Sequence, residues 1–510
     1  MADSISSNKR IAKNTIILYS RMMIILCIGL YTGRLVLNTL GVEDYGIYNV
    51  VGGFVTMFTF LNGAMATATQ RFITFELARG DINTQTNVFS TSLIIHFALA
   101  AIILLLAETI GLWFIYNKLV IPETRFTAAL WVYQLSILSC CLSIISLPYN
   151  AEIIAHEKMS AFAFISIMDV TLKLVIVFLI QIYPCDKLIF YAILMFLVQL
   201  LDRLIYGAYC SRHFPETKFK MIFDKRLLKD MNNIAGWSLF GNLAGVGYTQ
   251  GLNILLNMYF GPAVNAARGV AVTIQGVVSG FVSNFQMALT PQITKSYAVK
   301  DLSRMHSLIY SSSKFSFFLL FLVVLPLILE AQIVLTVWLK NVPEHSVWFM
   351  RLILCIMLVE ALANPLMVSS QATGKVKIYQ SVVGGTLLMI LPVAYVVLQM
   401  GGKPESVFVT HLIFAIFAQY LRLRIISRQI HMSQREYFNR VVTRISAVFL
   451  LSLIPSYLIY NLLNNDISSA ILVIISSLLL TTSTIYFVGL TGKERSMIYS
   501  KARSLINSKK

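Results

Sequence analysis

Long apolar runs separated by short polar loops dominate the chain. The first run extends from Asn14 to Leu37, and its only charged residues are Arg21 and Arg34. An α-helix rises about 1.5 Å per residue, so about 20 residues cross the hydrocarbon of a bilayer. The run therefore predicts a membrane-spanning helix. Its two arginines predict contact with a cavity or with protein, because a charge that faces lipid is costly.

The same pattern recurs and predicts about fourteen helical spans, hence an all-α, polytopic membrane protein. Their predicted limits are 14–37, 46–69, 90–115, 127–150, 161–182, 188–210, 234–259, 266–290, 308–338, 347–371, 378–399, 405–427, 441–461 and 467–490. The spans at 234–259 and 266–290 are rich in Gly, Asn, Gln and Ser. That composition is typical of helices that pack in protein or line water.

Composition supports this class. Hydrophobic residues make up 57% of the 510 residues and charged residues 13%, whereas a soluble protein carries about 25% charged residues. The net charge of +18 does not indicate nucleic-acid binding, because the basic residues lie in short loops without a recognised binding motif. None of the six cysteines forms a CxxC pair, so we expect no disulfide framework, metal site or cofactor.

Basic residues are distributed unevenly between alternate loops. Arg71, Arg79 and Lys158 lie on the same side as the basic N-terminus, the segment 211–233 and the C-terminal tail. The opposite loops hold few basic residues. By the positive-inside rule, both termini are cytoplasmic, which also requires an even number of spans.

The two halves of the chain match at a nearly constant offset. Gly80-Asp81 corresponds to Lys300-Asp301, 220 residues later, and Leu147-Pro148 corresponds to Asn364-Pro365, 217 residues later. The offset predicts two parallel-repeat lobes of six helices, 1–210 and 234–430, with a site between them. The segment 211–233 is then a basic cytoplasmic linker, and 431–510 contains an extra helix pair and a basic tail.

A family resemblance rests on the run Gly41-Val42-Glu43-Asp44-Tyr45-Gly46-Ile47-Tyr48, on Gln70-Arg71, on the repeat and on the extra helix pair. In these features the chain resembles O-antigen and capsule repeat-unit flippases of the multidrug/oligosaccharidyl-lipid/polysaccharide exporter superfamily. The resemblance implies a bacterial inner-membrane protein that moves an undecaprenyl diphosphate-linked oligosaccharide by alternating access. Membrane lipid, a coupling ion (H⁺ or Na⁺) and polysaccharide assembly enzymes are the other partners that it implies.

Cations within the predicted spans are candidates for binding the diphosphate, since arginine binds phosphate bidentately. Basic residues outnumber acidic ones within the spans, and the substrate-binding candidates are Arg21, Arg34, Lys173 and Arg268. Snorkelling is an equal alternative for Arg21, and anchoring at the interface is an alternative for Arg34 and Arg268. Lys314 lies near a span end, where snorkelling is the better explanation.

Two acidic residues are candidates for a coupling-ion site or a buried pair. Asp169 precedes Lys173 by one helical turn, near the membrane midplane, so the two can pair. That pair either fixes helix packing or lies in the transport path. Glu360 lies four residues before Asn364-Pro365, where the proline should interrupt the helix and expose backbone carbonyls.

Other functions receive less support from the sequence. A cation-coupled multidrug antiporter of the same superfamily is the main alternative, but it would favour an anionic cavity. A membrane glycosyltransferase or polymerase would need larger outer loops, and the exposed pair Glu43-Asp44 is better explained as a polar turn. His96, His156 and His411 show no ligand spacing to Cys, Asp or Glu, and no Walker motif indicates ATP use.

The topology can be tested with reporter fusions at Asn233 and Lys510. We expect both fusions to report a cytoplasmic location, because loops rich in Lys and Arg stay inside. A periplasmic signal from either fusion would contradict the predicted topology.

Overall fold

The computed structural model describes most of the chain. The described residues are 14–29, 31–32, 35–36, 39–41, 44, 47–48, 51, 59–117, 122–182, 186–220, 224–260, 262–339, 342–463, 466–492 and 494–496. Arg34, a predicted site residue, lies outside them, as do parts of the predicted span 46–69.

The described chain is helical and divides into two compact units. The first unit comprises Met1–Leu243 and Met287–Asp301, and the second comprises Ala244–Gln286 and Leu302–Lys510. The helices that begin in the first half are α1 (Asn14–Gly29), α2 (Thr59–Arg79), α3 (Ile82–Asn117), α4 (Phe126–Ala155), α5 (Met159–Ile182), α6 (Lys187–His213) and α7 (Lys225–Phe260).

The remaining helices follow the same up-and-down pattern with short turns. They are α8 (Pro262–Ala298), α9 (Leu302–Leu329), α10 (Ala331–Leu339), α11 (Ser346–Glu360), α12 (Ala363–Thr373), α13 (Val376–Leu388), α14 (Ile390–Gln399), α15 (Glu405–Gln429), α16 (Gln434–Leu462) and α17 (Ile467–Gly489). Within the described ranges, ten helical segments are long and apolar enough to cross a membrane. These segments indicate a multi-pass membrane protein.

Several helices differ from their predicted limits, and two of them are much longer than predicted. The helix predicted at 234–259 begins nine residues earlier, at Lys225, so α7 includes the second half of the predicted linker. The next helix, predicted at 266–290, runs from Pro262 to Ala298 and is 37 residues long. Both helices contain polar and small residues throughout, which explains why hydropathy alone placed their ends too close together.

Small and apolar residues allow α4 to form the centre of the first unit. Ala128, Ala129 and Val132 are buried and pack with Leu188 and Ala192 of α6. Small side chains let helix backbones approach closely where no hydrophobic effect operates between helices and lipid. A second apolar cluster, which includes Leu18, Ile154, Phe162 and Phe214, joins α1 to the ends of α4, α5 and α6.

The backbone supports the internal repeat found in the sequence. Gly80 and its match Lys300 both adopt positive φ, at 82° and 60°. With the offset of 217, Glu157 matches Gly374, and these residues also share positive φ, at 57° and 74°. A residue with left-handed backbone conformation at a helix end lets the following backbone N–H groups donate to the last carbonyls of the helix. Equivalent turns therefore end equivalent helices in the two halves, although the side chains differ.

A break separates α11 from α12, as the proline at 365 predicts. Pro365 has no N–H, so it cannot donate to the carbonyl of Ala361, four residues earlier. The side chain of Gln286 replaces that donor, with Nε2 at 3.1 Å from the Ala361 oxygen. Gln419 Nε2 donates to the next carbonyl, that of Leu362, at 3.3 Å. The two glutamines thus supply side-chain donors to two carbonyls at the helix break.

The position of Lys314 differs from the prediction. The sequence predicts that this lysine snorkels to the interface from a span end, but the structure buries it. The residue is only 4% exposed, and its Nζ donates to both carboxylate oxygens of Glu494, at 2.9 and 2.7 Å. Glu494 also accepts from the backbone N–H of Thr491 at 2.7 Å. This buried pair ties α9 to the segment that follows α17.

Replacement of Gln286 with Leu should destabilise the second unit by about 2 kcal/mol, because the Ala361 carbonyl would lose its donor. Thermal unfolding in detergent measures the change, and Q399L, at an exposed glutamine, is the control. In a P365A background the new backbone N–H at position 365 can donate to the Ala361 carbonyl. Q286L should therefore destabilise that background clearly less than it destabilises the wild type. An equal cost in both backgrounds would contradict this account.

Replacement of Glu494 with Gln should lower stability by about 3 kcal/mol, because Lys314 would remain buried without its counter-ion. Burial raises the pKa of Glu494, but hydrogen bonds from Lys314 and Thr491 outweigh it and hold that pKa below its ordinary value. The stabilisation is therefore present above the unfolded pKa and is lost as pH falls through the folded one.

Melting temperatures of the wild type and E494Q, measured between neutral and acidic pH, should converge as pH falls. The double variant K314M/E494L should melt closer to the wild type than E494Q does, since it removes both charges. A difference between wild type and E494Q that stays constant with pH would show that the pair does not supply the stabilisation.

Candidate functional site

A group of charged side chains lies within the helices of the first unit. We call Arg21, Asp169, Lys173, Asp202 and Tyr206 the first polar cluster. Lys173 Nζ lies 2.8 Å from Asp169 Oδ2, the pairing that their spacing in the sequence allows. Asp202 is close enough to Asp169 and Lys173 to interact electrostatically with both. Two carboxyl groups therefore surround one ammonium group.

Arg21 lies beside this group without a carboxylate within salt-bridge distance among the described residues. Its guanidinium stacks over the ring of Phe162, with Cζ at 4.5 Å from the centroid, and it interacts electrostatically with Tyr206. Its Nε is buried and has no hydrogen-bond acceptor in the described structure. The arginine is thus held in place by an aromatic ring while part of its donor capacity stays available.

The second unit contains a comparable group. We call Tyr248, Arg268, Glu360, His411 and Arg422 the second polar cluster. Tyr248 is at its centre: it interacts electrostatically with Glu360, Arg422 and Arg268. Its ring also meets that of His411 edge-on, at a centroid distance of 5.0 Å. Helices α7, α8, α11 and α15 each contribute at least one member.

The two arginines of this cluster are only partly satisfied. Arg268 donates from Nη2 to the Thr249 carbonyl at 2.8 Å, while its buried Nε has no acceptor among described atoms. Arg422 is 7% exposed. It interacts electrostatically with Tyr379, and its Nε and Nη1 have no acceptor in the described ranges.

Glu360 lies at the break between α11 and α12 and lines a cavity of about 180 Å³. The cavity walls are mainly polar on one side, where Gln275, Ser279, Ser283 and Gln286 lie. Glu360 Oε1 is 3.8 Å from His411 Nε2. The helix break therefore places a carboxylate, an imidazole and several hydroxyl or amide groups around one small space.

Sequence reasoning did not select five members of the two clusters: Asp202, Tyr206, Tyr248, His411 and Arg422. Arg422 falls within the predicted span 405–427 and could have been found by listing every cation in that span. Asp202 also lies within a predicted span, but its contact with Asp169 depends on how α5 and α6 pack. Nothing in the sequence marked Tyr248 as a site residue, because a tyrosine within a membrane helix usually belongs to the packed core.

The structure also corrects the expectation that His156 and His411 lie apart from carboxylates. His156 Nε2 is 2.6 Å from Glu216 Oε1 and 3.8 Å from Glu152 Oε2. Burial raises the pKa of Glu216, but its hydrogen bond with His156 outweighs this and holds that pKa below its ordinary value. The spacing of Glu152 and His156, four residues apart at the end of α4, was available in the sequence. Glu216 joins them only through the fold.

Asp44, from the exposed acidic pair in the first loop, is engaged in a structural contact. Arg125 donates to it from Nε at 2.8 Å and also donates to Asp186 from Nη1 at 2.5 Å. One guanidinium thus joins three connections of the first unit. The contact gives Asp44 a structural role.

The fold is similar to those of several solved structures. It matches a structure described as MATE in the bent conformation with a TM-score of 0.73 and 15% identity, covering 84% of this chain and 97% of that one. It matches an outward-facing multidrug resistance MATE family transporter of the MOP superfamily with a TM-score of 0.71 and 14% identity, over 83% and 96%. A MOP superfamily transporter from Pyrococcus furiosus, titled as having a binding pocket of reverse polarity, gives 0.68 and 16%, over 83% and 96%.

These likenesses establish the fold. No curated protein matches the sequence. A family model described as "Polysaccharide biosynthesis protein" matches residues 11–297. Because that match covers more than half of the 510 residues, the chain belongs to the polysaccharide biosynthesis protein family.

Proposed function

We propose that the protein is a flippase that moves a lipid-linked oligosaccharide across the bacterial inner membrane for surface polysaccharide assembly. Its substrate class would be an oligosaccharide joined through a diphosphate to a polyprenyl chain, such as undecaprenyl. The family supports a role in polysaccharide biosynthesis, and the fold is one that transporters use. Both termini would face the cytoplasm.

The observation that carries this proposal is the set of arginine N–H groups without acceptors within the helices of both units. Arg21, Arg268 and Arg422 each have at least one such group in the described structure. An unsatisfied charged donor is costly in a low-dielectric interior. Water or an anionic passenger would supply the acceptors, and a diphosphate suits a guanidinium because it can accept two parallel hydrogen bonds.

Carboxylates within the clusters suit coupling to an ion. Protonation or binding of Na⁺ at Glu360 would change the charge beside His411 and Arg422. Protonation or binding of Na⁺ at Asp169 would weaken its salt bridge with Lys173. Each change would alter how strongly the cluster attracts an anion, so ion binding and passenger binding would be linked.

A cation-coupled multidrug antiporter is the alternative within this fold. Such a transporter needs a site that attracts organic cations. In the first cluster Lys173 pairs with Asp169. In the second, Glu360 lies near His411, and Tyr248 interacts with Glu360 and with both Arg268 and Arg422. This balance favours an anionic passenger.

The test uses a strain that lacks the gene and is complemented with variants. Alanine at Arg21, Arg34, Lys173, Arg268 or Arg422 should lower surface polysaccharide about tenfold or more, the loss expected when a charge-assisted contact of about 1.5 kcal/mol is removed. R21K should lose less than R21A, because charge remains although the planar fork does not.

R424A is the matched control for R422A, since Arg424 lies two residues away on α15 and is exposed. Membrane protein level must equal the wild-type level in every variant. Normal export by all five alanine variants would contradict the proposal. Efflux of a cationic dye that depends on these residues, without an effect on polysaccharide, would favour the antiporter.

A further inference from the structure

Three donor side chains meet at one end of the first unit, apart from both polar clusters. Glu152 and His156 lie on successive turns at the end of α4. Glu216 belongs to the short 3₁₀ turn Pro215–Thr217, which follows α6. One ligand atom from each of the three lies within 4.8 Å of the other two.

The two carboxylates are deeply buried. Glu152 is 1% exposed and Glu216 3% exposed. Glu152 Oε2 accepts no hydrogen bond from any described residue, although it points toward His156. A buried carboxylate oxygen without a donor is costly, so the position calls for a ligand.

The local charge also calls for a cation. Among described residues, His156 is the only basic side chain within salt-bridge distance of Glu152 or Glu216. The two carboxyl groups carry a charge of −2 when both are ionised. A divalent cation bound to neutral His156 would balance the two carboxylates.

The surroundings leave little room for anything larger than an ion. The gap beside Glu152 and Glu216 is lined by Ile73, Leu77 and Gln85. Phe214 stacks on the His156 ring at a centroid distance of 4.1 Å and fixes its plane. The thiol of Cys210 is nearby but donates to the Tyr149 carbonyl.

We propose that Glu152, His156 and Glu216 form a binding site for one divalent transition-metal ion of the Zn²⁺ type. One imidazole with two carboxylates is a typical donor set for such ions, whereas Mg²⁺ and Ca²⁺ prefer oxygen alone. Tetrahedral ligands at about 2.1 Å from Zn²⁺ lie roughly 3.4 Å apart. The ion would replace the hydrogen bond between His156 and Glu216.

Such an ion would act as a clamp. It would join the end of α4 to the turn at Glu216, which precedes the segment leading into α7. Binding to the folded chain would raise the stability of the first unit by mass action. This inference does not depend on the transported substrate.

The experiment uses the full chain, purified in detergent, freed of affinity tag and treated with a chelator. Titration with Zn²⁺ alone should show one equivalent bound and a rise in melting temperature. E152Q, H156Q and E216Q should each weaken binding at least tenfold, because each removes a ligand. H213N is the control, since His213 is exposed at the end of α6 and lies outside the donor set.

Co²⁺ provides a second readout that does not depend on affinity. The wild type should show the visible absorption of Co²⁺ bound to nitrogen and oxygen ligands, and H156Q should change that spectrum. The glutamine variants are nearly isosteric, and melting in the absence of metal checks that each is folded. No stoichiometric binding by the folded wild type, or equal binding by E152Q and H156Q, would overturn the proposal.

Discussion

The cost of placing a polar or charged group where water cannot reach it governs this structure. In hydrocarbon each backbone carbonyl needs a donor, and each charge needs a partner or a wet surface. The described helices satisfy these needs locally along most of their length. Where a helix breaks or a charge enters, the described structure either supplies a specific partner or leaves donors without an acceptor, and those places are also where the candidate sites lie.

The break between α11 and α12 illustrates this dependence. Pro365 removes the helical donor to the Ala361 carbonyl, and the Gln286 side chain replaces it from another helix. The Gln419 side chain donates to the neighbouring Leu362 carbonyl. The same break leaves Glu360 beside a small cavity that has polar side chains along one wall. The break at this proline thus places a carboxylate beside the cavity, and two glutamines reduce the cost of the break by donating to backbone carbonyls.

The turn after α4 shows a different compensation. Glu157 adopts positive φ where its counterpart in the repeat is Gly374, a conformation that costs a residue with a side chain about 1 kcal/mol or more. Contacts from the second half of α8 hold it there: Lys295 lies 3.0 Å and Gln292 2.6 Å from its carboxylate. Repeat-related turns therefore keep the same backbone while one of them has acquired a buried ion pair.

The sequence by itself determined the class of protein, the repeated turns and the pair of Asp169 with Lys173. These depend on properties read along the chain: apolar length against bilayer thickness, a constant offset, and a separation of one helical turn. It also indicated the break at Pro365, because the missing N–H is a local property of proline.

The tertiary structure decided which distant side chains meet. Asp202 reaches Asp169 only because α5 packs beside α6, and Tyr248 joins Glu360 and Arg422 through three different helices. Lys314 is indistinguishable in sequence from a snorkelling lysine, and only its position against Glu494 shows that it is buried and paired. Glu216 follows His156 by 60 residues, and neither residue type nor spacing indicates their contact. Side-chain neighbours across helices depend on packing angles and rotations that no local pattern specifies.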